Sequence, residues 1–104
     1  MILYMVSVVV PNNRAEEWES WMTNKHIADV VAASKFISAT LLRVIEPEST
    51  THTRFSVQYL AENLEQYEDY RINFAPKLQQ EHTAIFGTSV SASREVLKQI
   101  QQWK

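Results

Sequence analysis

Cysteine is absent from the sequence, and that one fact excludes disulfides, thiolate nucleophiles, zinc knuckles and iron–sulfur ligation together. A cysteine-free chain also fits a reducing cytoplasm. Glycine is nearly as scarce, Gly87 being the single one, so no phosphate-cradling or dinucleotide-binding loop can be built, and nucleotide chemistry is disfavoured. The serines occur in no G-x-S-x-G elbow. No run of Lys or Arg is present, and 12 acidic against 10 basic residues give a formal charge of −2, which leaves no positive footprint for nucleic acid or an anionic membrane surface. Long apolar runs are missing too. The opening stretch from Met1 to Val10 is half of the roughly 20 residues that a membrane helix needs. Lacking a basic leader and ending at Pro11-Asn12-Asn13 without a small-residue cleavage pattern, it is expected to be a β-strand of a soluble protein, not a signal peptide.

What remains is an ordinary globular composition. With 104 residues, 45% of them apolar and 21% charged, the chain suits one domain spanning residues 1–104, able to bury roughly two thirds of its unfolded surface.

Val, Ile, Leu and Tyr dominate Ile2 to Val10, predicting a first strand closed by Pro11-Asn12-Asn13. Asn13 stands three residues before Glu16, a capping-box spacing, and Ala15, Trp18, Trp21 and Met22 recur at helical intervals to about Asn24. His26 to Ala33 continues this helix after a bend. Lys35 to Glu46 predicts a second strand and Thr53 to Ala61 a third, paired as a long hairpin. Asn63, with Gln66 three residues on, caps a helix presenting Leu64, Tyr67, Arg71 and Phe74. Pro76 then opens a further helix presenting Leu78, His82 and Ile85, which ends at a left-handed Gly87. Ser89 to Leu97 is the fourth strand, and Gln99 to Lys104 a polar tail. The order strand, helix, strand, strand, helix, strand is the split βαβ of an α+β, ferredoxin-like fold: a four-stranded antiparallel sheet with its helices on one face and strands one and three in the middle.

Such a sheet leaves its second face wet unless something covers it. Ile2, Tyr4, Val6, Val8 and Val10 take one face of the first strand, yet Leu3, Met5 and Val9 take the other. In the second strand Leu42 and Val44 oppose Ile37, Leu41 and Ile45. Five or six exposed aliphatic side chains would forgo on the order of 10 kcal/mol of burial, so a second copy of the chain is the expected cover, giving a homodimer that encloses a barrel-like core.

The opening Met1-Ile2-Leu3-Tyr4, Trp18-x-x-Trp21-Met22, His26-Ile27, Leu41-Leu42-Arg43-Val44, Gln58-Tyr59 and Ala75-Pro76-x-Leu78-x-x-Glu81-His82 resemble, over nearly the whole chain, a small bacterial family known only as a domain of unknown function. The chain also looks like the wider dimeric α/β-barrel superfamily, which contains cofactor-independent monooxygenases and isomerases. The resemblance implies the fold and the homodimer far more than any chemistry. Ala28 stands where the family has Pro, and Met5 and Ser7 replace a more polar pair, which implies a greasier cavity here.

His26 follows Trp18 and Met22 at steps of four, and His82 follows Leu78 likewise, so both imidazoles should approach the sheet from apolar helix faces. A neutral His there can act as a general base; equally, it can be a buried core residue with satisfied nitrogens. Trp18, Trp21, Met22, Tyr59 and Phe86 can wall a cavity for a small apolar or aromatic ligand, or can simply be core. Arg43, Arg54 and Arg94 fall on strands, where they can neutralise an anionic substrate or equally serve as exposed strand ends or dimer salt bridges, and Arg43 is counted with the candidate ligand-binding residues. Neither His26 with Asp29 nor Glu81 with His82 has a recognised ligand spacing, so no metal is expected, nor any other cofactor.

Two functional readings follow. The first is a homodimer that holds a small molecule or serves a structural role, with both histidines structural. The second is a cofactor-free monooxygenase or isomerase, with His26 or His82 as base. An enzyme of that kind calls for an enclosed cavity of some hundreds of Å³ with a His nitrogen facing it.

Overall fold

Ten residues, Ile2–Pro11, form β1, and alternation sorts most of them: Ile2, Tyr4, Val8 and Val10 are buried, while Leu3, Met5, Ser7 and Val9 on the other face, and Val6 on the same one, are only half-covered. In the computed structural model, which describes residues Met1–Lys104, β1 is followed by helix α1 (Asn12–Trp21), a π-helical turn (Met22–His26) and α2 (Ile27–Ser34). Strands β2 (Ser38–Arg43) and β3 (His52–Ala61) come next, then α3 (Leu64–Asn73), α4 (Ala75–Phe86), a short 3₁₀ turn (Gly87–Ser89) and β4 (Ser91–Lys98). The sheet order is β2-β3-β1-β4 with every pair antiparallel, and β1 and β3 are central. This is the α+β, ferredoxin-like arrangement that the order of elements predicts.

The helices lie over the face that carries Tyr4, Val8, Phe55, Val57 and Tyr59. Trp18, Met22, Val30, Tyr70, Ala75, Leu78 and Phe86 pack down onto it. Tyr70 and Phe86 therefore take the places expected of Arg71 and Ile85, which are exposed. The buried residues of the first helical arm, Trp18, Met22, His26, Val30 and Ser34, recur at every fourth position. In a regular α-helix each step of four overshoots by about 40°, so such a stripe drifts away from the sheet. The π-turn, in which the Ile27 N–H reaches the Met22 carbonyl, gives part of that drift back and returns His26 to the inner face. The arm is thus continuous where a bend was expected.

Local signals were honoured unevenly. The Asn63 side chain accepts from the Gln66 N–H at 3.0 Å, and the Gln66 side chain accepts from the Glu62 N–H at 3.1 Å, so α3 is capped as predicted. Asn13 caps nothing: α1 starts two residues earlier than that cap implies, after Pro11, because Asn12 is tied across to Thr50 and Thr53. Strand β2 is shorter than Lys35–Glu46, since Lys35 ends α2 in the left-handed conformation (φ 59°). At Gly87 the backbone has φ 56° but ψ −137°, a region open essentially to glycine alone, in place of the left-handed cap expected there.

On the far face, register places Leu60, Leu3 and Leu97 side by side, then Gln58, Met5 and Glu95, then three serines, Ser56, Ser7 and Ser93, then Arg54, Val9 and Ser91. The second face is apolar at Leu3, Met5 and Val9 of β1, in the row of leucines and at Leu42 of β2, and polar elsewhere. β3 and β4 alternate more strictly than β1 and β2, so this face is less oily than the first two strands alone suggest.

Candidate functional site

β4 is an edge strand exposed along its length, even at Ala92, Arg94 and Val96, which point to the helix side through their pairing with Val8, Val6 and Tyr4. The helical layer stops short of this edge. Beneath it, between the π-turn, α4 and the β1–β4 pair, lies a cavity of about 40 Å³ whose lining includes Tyr4, Met22, His26, Tyr70, His82 and Arg94. That volume holds about two or three waters, an order of magnitude less than a cavity that swallows a drug-sized molecule.

The two imidazoles that sequence spacing singles out meet here, their ring centroids 6.1 Å apart. His82 accepts a hydrogen bond at Nε2 from the Trp18 indole N–H, 2.9 Å away. Its proton therefore resides on Nδ1, and its one lone pair is taken. His82 thus presents a donor at Nδ1, its Nε2 being engaged by Trp18. His26 is buried under the Trp21 ring, stacked at 4.9 Å, and its Nδ1 has no hydrogen-bond partner in the chain. Burial first, then the neighbouring His82, lowers its pKa from 6.5 to about 4, with Lys25 and Arg94 adding to the fall and Asp29 opposing it. Burial and Arg94 also lower that of His82. Both rings are neutral near pH 7.

Arg94 donates through Nε to the Tyr4 hydroxyl at 3.2 Å, leaving its two terminal nitrogens free of protein partners. Burial raises the pKa of Tyr59 and of Tyr70, so both remain protonated. The Tyr4 ring sits 5.6 Å from each of them, and Phe36 closes the cluster.

Trp18, Met22, His26, Tyr59 and His82 thus converge on one cavity. Trp21 and Phe86 stand behind it, backing His26 and His82 respectively. Arg43 lies elsewhere: it pairs with Glu19 at 2.6 Å and leans over Phe55, at the far end of the sheet. Arg94, Tyr4, Tyr70 and Gln79 complete the lining. Alternation in Ser91–Lys98 puts Arg94 on the face of Ala92 and Val96, which was readable in sequence. That the helices leave this edge open was not. No three His, Asp or Glu side chains gather at a point where a metal could be held.

Comparison with known proteins agrees with the fold. An antibiotic biosynthesis monooxygenase candidate from Deinococcus radiodurans superposes with a TM-score of 0.75 at 11% identity, over 100% of this chain and 97% of that one. An ethyl tert-butyl ether D (EthD) family protein from Bacillus halodurans gives 0.64 at 11% identity, over 96% and 100%. A de novo designed protein with a ferredoxin fold gives 0.51 at 13%, over 100% and 92%. At such identities the likeness is one of fold. No curated protein sequence matches significantly. The model of a domain of unknown function, DUF4286, matches residues 1–100, and the chain therefore belongs to the DUF4286 family.

Proposed function

We propose that this chain is a one-domain, cytoplasmic, homodimeric protein that binds a small molecule, whose polar head enters the cavity between His26, His82 and Arg94. The observation that carries this reading is hydrogen-bonding capacity left unused on a buried ring beside an unpaired cation. An orphaned buried nitrogen costs about 1–3 kcal/mol, and His26 Nδ1 has no partner; beside it, Arg94 stands open to solvent with two terminal nitrogens that no group of the chain engages. A chain retaining such groups at one place suits a binding site better than a core. The small volume supports a ligand that buries its head and leaves its body along the open β4 edge. The leucine row on the far sheet face, with Met5 and Val9, supports a second copy as its cover, since each buried aliphatic side chain contributes about 1.5–3 kcal/mol.

A cofactor-independent monooxygenase or isomerase is the second reading. His26 favours it, being neutral with a lone pair that no group of the chain engages, as does the fold shared with the monooxygenase candidate. The cavity, however, is too small to enclose an aromatic substrate as it stands.

Sedimentation velocity at micromolar concentration tests the assembly: a species of twice the 12.1 kDa chain mass is expected, and a 12.1 kDa species alone rejects the dimer. Binding is tested by nuclear magnetic resonance of the Trp18 indole N–H and the imidazole nitrogens against a panel of small polar and aromatic compounds. Shifts at these nuclei are expected, and their absence across the panel rejects the site.

A further inference from the structure

Charge distinguishes this cavity from the rest of the molecule. The protein carries a net −2 and 12 carboxylates, yet none of the 13 residues lining the cavity is Asp or Glu. The chain has five arginines. Arg14, Arg43 and Arg71 pair with Glu17, Glu19 and Glu68, and Arg54 donates to the Pro47 carbonyl. Arg94, like Arg54, has only a neutral partner, in its case the hydroxyl of Tyr4. Its nearest sequence neighbour of opposite charge, Glu95, points to the other face of the sheet, in the row of Met5 and Gln58.

Several polar groups around Arg94 are donors, while Gln79 and the unengaged lone pair of His26 add acceptors. His82 has its acceptor nitrogen occupied by Trp18 and so offers only N–H. Tyr59 and Tyr70 hold their protons, and no carboxylate stands in the lining to compete for them. With both imidazoles neutral, the lining carries one full positive charge. One charge calls for a monoanion, and a planar guanidinium with two unengaged nitrogens fits the two oxygens of a carboxylate. About 40 Å³ accommodates a group of that size and little more.

We propose that the cavity is selective for the carboxylate head of a small organic acid, with Arg94 as its counter-ion and the His82 N–H and tyrosine hydroxyls as its donors. This rests on the binding reading above and adds the chemical class of the ligand. The uncharged remainder of the acid lies outward past Ala92 and Val96, over the open side of β4.

The test uses matched pairs that differ in charge and hardly in shape: acetate against acetamide, and benzoate against benzamide, each titrated while the Trp18 indole and imidazole resonances are followed. Each acid is expected to bind about tenfold or more tightly than its amide. In Arg94→Gln, which keeps a donor for Tyr4, that preference should vanish. Arg94→Lys, which keeps the charge, should restore part of it. If acids and amides bind alike, the cavity is a binding site but the carboxylate assignment is wrong. Undiminished preference in Arg94→Gln likewise overturns the role given to Arg94. If no member of either pair moves these resonances at millimolar concentration, the binding reading itself fails and takes the carboxylate assignment with it.

Discussion

Two aromatic clusters share the space between helices and sheet, and they are packed alike but equipped differently. At one end Tyr4, Phe36, Tyr59, Tyr67 and Tyr70 lie with centroids 5.2–6.4 Å apart. At the other, Trp18, Trp21, His26, His82 and Phe86 lie 4.9–6.4 Å apart. The tyrosine end carries its polar atoms at ring tips, where Arg94 and the cavity receive them. The imidazole end carries them in the rings themselves, so that one is spent on Trp18 and another is left without a partner. Equal packing with unequal hydrogen bonding teaches that the second cluster gives up stability that the first retains, and that the difference is concentrated at the cavity.

The sharpest way to break the imidazole end is Trp18→Ala. Trp18 is wholly buried against Phe55 and donates to His82; its removal should cost about 3–5 kcal/mol in equilibrium denaturation. It should also free His82 Nε2, visible as a tautomer change in the imidazole ¹⁵N spectrum.

Acid should separate the two ends next. Unfolded, His26 takes up a proton near its ordinary 6.5; folded, it does so only near 4. The unfolded state thus binds more protons throughout that interval, so this residue destabilises the fold as pH falls from about 6.5 to 4, by up to about 3 kcal/mol, and has no such effect above it. His82, shifted the same way, acts in the same direction. Denaturation midpoints of the wild type and His26→Phe, compared from pH 7 to 4, should diverge in this window. Parallel curves would mean that His26 titrates normally.

The smallest effect belongs to the tyrosine end. Tyr59→Phe keeps the ring that packs on Tyr4 and Phe36 and removes a hydroxyl that makes no hydrogen bond within the chain, so stability should change by less than about 1 kcal/mol. A loss as large as that of Trp18→Ala would erase the contrast between the clusters.

Much of this architecture was legible because it is written in local patterns. Alternation in Ile2–Val10 named its buried face correctly, the Asn63–Gln66 spacing named a real cap, and steps of four brought His26 and His82 to the same side of the sheet. What escaped is set by contacts between distant segments. Asn13 had the same capping spacing as Asn63, but the Asn12 tie to Thr50 and Thr53 moved the start of the helix. Arg43 and Arg94 are both strand arginines on the helix side, and only the assembled fold reveals that one meets Glu19 while the other stands over a cavity. The tautomer of His82 likewise depends on Trp18, 64 positions away in sequence.

The π-turn makes residue count as consequential as residue identity. Were one position deleted between Met22 and His26, the arm could close into an uninterrupted α-helix, and because the π-turn is what accommodates the extra residue, α2 would keep nearly its present facing. The change would fall on the turn itself, where His26 stands at the cavity. In this fold a shift in length at one helical turn alters the lining of a chamber while the helix beyond it and the sheet beneath stay in place.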